Sequence, residues 1–73
     1  MSADERALRA ERLLAERGFV GARVSVEGHE QEIAAVRVPA GVWERLAGDE
    51  GVRAAGEVKA LGFRYVALDL APA

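Results

Sequence analysis

Ala3, Ala7, Ala10 and Leu14 recur at spacings of four, three and four, with Leu13 beside them and mostly charged residues between. That period predicts an amphipathic helix. Ser2 followed by Glu5 is a capping-box pattern, and Asp4 and Glu5 place negative charge where the helix dipole favours it. Gly18 should close the helix in a left-handed conformation, with Phe19 folded back toward Leu14. From residue 22 to 26 the period changes to two, with Val24 and Val26 on one face and Arg23 and Ser25 on the other. This is a strand pattern. Gly28 marks a turn, and residues 32–38 form a second strand with Ala34, Val36 and Val38 inward and Ala35 and Arg37 outward. It stops at Pro39, which has no N–H to give to a ladder.

Residues 41–60 return to mostly helical spacing through Val42, Trp43, Leu46, Val52, Ala55 and Val58. The run Gly48, Asp49, Glu50, Gly51 interrupts it, so two helical pieces are expected, the second capped by Asp49. Gly62 should close this piece as Gly18 closes the first, with Phe63 reaching back to Val58. The alternation that follows puts Val66, Leu68 and Leu70 on one face and Tyr65, Ala67 and Asp69 on the other.

The order helix, strand, strand, helix, strand predicts an α+β domain spanning residues 1–73, a two-layer sandwich with both helices on one face of a three-stranded sheet. With the last strand beside the first, the sheet would be wholly antiparallel, in the order two, one, three, like a ferredoxin-like unit lacking its first strand. Arg23, Ser25, Ala35, Arg37, Tyr65, Ala67 and Asp69 would then lie on a face that no helix of the chain covers.

Composition narrows the function classes. At 73 residues the core supplies only ~3–5 kcal/mol of net stability unless something else contributes, which makes a homo-oligomer the expected state. No cysteine is present and His29 is the single histidine, so neither a disulfide nor a soft-metal site is available and no cofactor is expected. A net charge of -2 with mixed signs provides no basic field for nucleic acid. No apolar run is long enough for a membrane span, and a cytoplasmic setting is expected. Nine arginines against one lysine, with no asparagine or threonine, fit a heat-tolerant protein.

No Ser-His-Asp, Cys-His or paired-carboxylate pattern supports hydrolysis, so catalysis by this chain alone is not expected. The polar residues of the open face carry the remaining chemistry. Arg23 and Arg37 suit a bidentate grip on a phosphate or carboxylate, or a salt bridge. Asp69 suits a metal ligand or an acid that orients an arginine, or else a partner for Arg23 or Arg37; a hard cation needs more oxygen ligands than one. Tyr65, flat and flanked by small residues, suits a docking surface. Trp43 suits either a binding anchor or helix packing. His29, with Glu27, Glu30 and Glu32 around it, reads as a surface histidine in a turn.

Two segments carry a family resemblance: Ala34-Ala35-Val36-Arg37-Val38-Pro39, and Lys59-Ala60-Leu61-Gly62-Phe63-Arg64-Tyr65-Val66-Ala67-Leu68-Asp69-Leu70. Together with Arg12-Leu13-Leu14, Gly18-Phe19, Arg23 and Val24, they resemble the C-terminal domain of the LarE-type ATP-dependent sacrificial sulfur transferases, PP-loop enzymes of nickel-pincer cofactor synthesis. The family's serine- and glycine-rich phosphate loop and its sacrificed cysteine have no counterpart in this sequence. Where the family has an arginine and an acid before the proline, Ala35 and Arg37 stand here, and Ser25 replaces a second arginine of the first strand. Arg23 and Asp69 are the polar positions the resemblance retains. It implies an association module that docks another copy or a partner through Arg23, Ser25, Arg37, Tyr65, Asp69 and Trp43. A second expectation is the C-terminal part of a sulfur transferase working with a separate PP-loop protein, and a third is a small ligand-sensing domain of ferredoxin-like type.

Overall fold

The computed structural model describes residues 2–69, the side chain of Trp43 excepted. Helix α1 spans Ala3–Glu16, strand β1 Arg23–Glu27 and strand β2 Ile33–Arg37; a single 3-10 turn, Ala40–Val42, leads into helices α2, Trp43–Ala47, and α3, Asp49–Lys59, and strand β3 is Tyr65–Asp69. The sheet and the helical layer form a slab of 30 × 21 × 16 Å, its short dimension being one helix stacked on one sheet. The α+β two-layer plan is the one the periodicities predict.

The sheet order differs from the expectation. β1 and β2 form an antiparallel hairpin, but β3 lies beside β2 and parallel to it, giving a mixed sheet in the order β1-β2-β3. Two forces favour this arrangement. The α2–α3 connection is a crossover that returns the chain parallel to the strand it left. The outer edge of β1 is also occupied, because the Glu11 carboxylate on α1 accepts a hydrogen bond from the Val24 backbone N–H at 2.9 Å. A third strand placed beside β1 would displace that acceptor.

Helix α1 begins as its sequence indicates: Ser2 is the N-cap and its hydroxyl accepts the Glu5 N–H at 3.1 Å. It ends in a Schellman turn, with Gly18 at φ +90, Phe19 N–H donating to Leu14 O at 2.8 Å and Gly18 N–H donating to Ala15 O at 3.0 Å. The end of α3 is looser. Lys59 is its last residue, and Phe63 N–H donates to Lys59 O at 3.1 Å, with Gly62 at φ +116, while Phe63 and Val58 join the same core cluster.

Both glycines deliver a phenylalanine to the core, Phe19 at 0% and Phe63 at 4% exposure, each a burial worth ~1.5–3 kcal/mol. An arginine from elsewhere roofs each turn. Arg45 of α2 donates to Gly18 O at 2.9 Å and sits 5.0 Å from the Phe19 ring centroid. Arg6 of α1 donates to Gly62 O at 3.0 Å and to Gln31 O at 2.9 Å, and sits 4.5 Å from the Phe63 centroid. These cations satisfy turn carbonyls and lie on aromatic faces at the same time.

Ala10 and Leu14 of α1, Ala54 and Val58 of α3, Val24 of β1, and Ala34, Val36 and Val38 on and beside β2 close the core with the two phenylalanines. Val52, expected inward, is 69% exposed. The helical region does divide into two pieces, but Asp49 is the first residue of α3 and Gly48 is the cap, with no side-chain hydrogen bond. This start turns Gly51, Ala54 and Val58 toward the core and Val52 to solvent. Gly51 is pressed against α2, where any Cβ would run into the Leu46 carbonyl. Leu70, expected inward, lies outside the described residues.

Candidate functional site

Alternation along the strands divides the sheet into two faces. The helices cover Val24 and Val36 and, one row along, Val26, Ala34 and Val66, whereas Leu68, expected inward, is 37% exposed because the edge strand β3 borders the cleft beside α2 and α3. The opposite face is a grid of three strands by three rows. Register places Arg23, Arg37 and Asp69 in one row, Ser25, Ala35 and Ala67 in the next, and Glu27, Ile33 and Tyr65 in the third. Sequence reasoning assembles this face from Arg23, Ser25, Ala35, Arg37, Tyr65, Ala67 and Asp69. It misses Glu27 and Ile33, although the parity that puts Ala35 and Arg37 outward also puts Ile33 there. Trp43, grouped with these residues in the sequence, begins α2 in the helical layer, and its side chain lies outside the described residues.

The first row holds the most charge. Arg37 grips Asp69 with its Nη2 at 2.6 Å and its Nε at 3.2 Å from Oδ2. The hydrogen bond to Asp69, and then its charge, raise the Arg37 pKa above the ordinary arginine value. Of the roles open to Asp69 in the sequence, this is the strand-end ion pair, and it exists because the parallel register sets Arg37 against Asp69. Arg23 stands opposite Arg37 on the antiparallel side, an unfavourable placement of like charges. Among the described residues Arg23 makes no ion pair within 4.0 Å. Arg23, Ser25, Ala35, Arg37 and Asp69, with Val24, line a shallow depression of about 270 Å³.

The middle row is nearly flat, with only methyl groups on two of its three positions. At the third, the Ser25 hydroxyl donates to the Glu27 Oε2 at 3.1 Å and holds that carboxylate along β1. Tyr65 at the far corner is 57% exposed. Flat small residues in the centre and charged or aromatic residues at the corners suit contact with another surface rather than enclosure of a substrate.

Other depressions lie on the helical side. An apolar cleft of about 100 Å³ runs between α2, α3 and β3 past Leu46, Ala55, Val66 and Leu68. A charged one of about 340 Å³ lies between the end of α1 and α3. In the latter Arg17 pairs with Glu57 at 2.6 Å and Arg45 with Glu50 at 2.9 Å beside Arg53, and Glu57 raises the Arg17 pKa through its hydrogen bond and charge. These pairs join α1 to α3 and anchor α2.

Among the described residues, no group of three or more His, Cys, Asp or Glu side chains is placed to hold a metal. Near His29, the Glu32 carboxylate accepts the Glu30 N–H at 2.8 Å and stiffens the hairpin turn. No helix among the described residues is long and apolar enough to cross a membrane. No family model matches the chain, and no curated protein matches it.

Proposed function

We infer that this chain is a non-catalytic association module whose outer sheet face docks another protein surface, a second copy or a partner, in the cytoplasm. One observation carries the reading: a three-by-three face with a flat small-residue centre and a charged, aromatic rim is covered by no helix among the described residues, on a chain whose own core is small. Covering its apolar area would contribute stability at ~25 cal/mol per Å². The arginine-rich, asparagine-free composition supports heat tolerance in the same assembly.

The test is sedimentation of fluorescently labelled protein, both purified and in an extract of its source cells. The wild type should sediment as a complex in at least one setting, and Ala67→Glu should reduce it to a 7.8 kDa particle while its circular dichroism stays unchanged. Ala67 is solvent-exposed, so its variant tests the face without threatening the fold. A wild type that sediments as a lone particle in both settings overturns the reading.

A second reading is favoured by where the LarE-type resemblance falls. Its two segments include β2 and β3, which are neighbours in register with Arg37 against Asp69. In that reading the domain completes a sulfur transferase whose PP-loop half is a separate chain, and Arg23 and Asp69 face its nucleotide site. Titration of a PP-loop protein from the same genome should then give saturable binding that Arg23→Ala weakens at least about tenfold. No heat of binding at any ratio removes this reading.

A further inference from the structure

We propose that the occupant of the open face is a second copy of this chain, packed sheet to sheet about a two-fold axis that runs across the strands through Ser25, Ala35 and Ala67. The proposal rests on the association reading above and specifies its partner and geometry. Register alone generates the complementarity. Rotation about the middle row lays the first row of one copy over the third row of the other. Arg23, which has no ion-pair partner among the described residues, then faces Glu27 of the second copy, and by symmetry Glu27 faces the second copy's Arg23. The Ser25 hydroxyl already holds the Glu27 carboxylate along β1 on this face. Arg37 lies across from Ile33, an apolar seat for its aliphatic stem. Tyr65 lies across from Asp69, a phenol donor opposite a carboxylate.

The middle row meets itself, and its small residues let the sheets approach closely. Packed sheets stand about 10 Å apart with their strands within about 30° of alignment, an arrangement this axis produces. The alternative axis, parallel to the strands, sets Arg37 against Arg37 of the other copy and turns Arg23 toward an Asp69 that Arg37 already holds. Charge therefore selects the axis across the strands. A face three strands wide and five residues long covers a few hundred Å² on each copy, well below the ~800 Å² per partner of a standard interface. The dimer therefore belongs to the weak class, with a Kd on the order of 10–100 μM.

The test is sedimentation equilibrium of the purified wild type from about 1 μM to about 1 mM, with Arg23→Glu, Glu27→Arg and the double swap carrying both changes. Each single reversal sets like charges face to face and should weaken association at least about tenfold. The double swap re-creates both pairs with inverted polarity and should return the Kd to within about threefold of wild type. Both sites are exposed strand positions, so folding is not at risk. A wild type monomeric throughout overturns the second copy as occupant, while the broader association reading is then decided by the complex in cell extract. Loss of association in Ala67→Glu without rescue by the double swap overturns the axis and keeps the face. Association that survives Ala67→Glu overturns both.

Discussion

Two glycines of α3 illustrate how local space decides the sign of the same substitution. At Gly51 a methyl group would strike the Leu46 carbonyl, whereas at Gly56, exposed within α3, no atom lies within 4 Å of a new Cβ. Gly51→Ala should cost at least ~2 kcal/mol as α2 is pushed off α3, lowering the melting temperature by roughly 10 °C. Gly56→Ala should stabilise by ~0.5–1 kcal/mol, because alanine loses less backbone entropy in a helix. Thermal melts of the two variants check both signs. Arg45 is a further single-residue case, binding Gly18 O, pairing with Glu50 and lying on Phe19. Arg45→Ala should destabilise by ~1–2 kcal/mol. Arg45→Lys should recover little of that, since a point charge cannot repeat the planar fork and the stacking, and chemical denaturation of both variants measures the difference.

Among the elements, the one contact that most constrains the sheet is Glu11 on Val24. Replacing Glu11 with alanine removes the acceptor from a part-buried backbone donor and should cost ~1–3 kcal/mol, with hydrogen exchange at the Val24 amide accelerating more than at its neighbours. The same contact explains which part of the architecture is legible in the sequence. Periodicity assigns faces, so the helices, the three strands and the outward set from Arg23 to Asp69 follow from spacing, and Gly18-Phe19 forms the turn its residues imply. Strand order follows from different information. It depends on the crossover and on which edge of the hairpin remains free, to which Glu11, a helical glutamate that looks like any solvated one, contributes through a tertiary hydrogen bond. Parallel pairing then creates the Arg37 to Asp69 grip, which alternation alone cannot distinguish from a pair with Arg23. Val52 leaves its expected face for a related reason: the packing of Gly51 on Leu46 sets the rotation of α3, and that packing is a contact between elements.

At the scale of the whole molecule, the electrostatics divide into pairs within the chain and, in the dimer proposed above, pairs between copies. Arg17 with Glu57, Arg45 with Glu50 and Arg37 with Asp69 are paired internally, while Arg23 makes no ion pair among the described residues. Exposed pairs of this kind contribute only ~0–1 kcal/mol each and are screened by salt. Raising the ionic strength from about 0.05 M to about 1 M should therefore weaken self-association several-fold, yet move the protomer's melting temperature by only a few degrees at high dilution. Sedimentation and calorimetry on the same samples separate the two effects. A dimer insensitive to salt would place the binding energy in the apolar centre of the face rather than in the Arg23 and Glu27 corners.

The carboxylate clasp on β1 also has a meaning for anyone wishing to build on this scaffold. It seals one flank of the ribbon, so a grafted peptide meant to lengthen the array must be offered to the margin of β3. A designer who ignored that polarity would have to break a helix-borne lock before the first new residue could join.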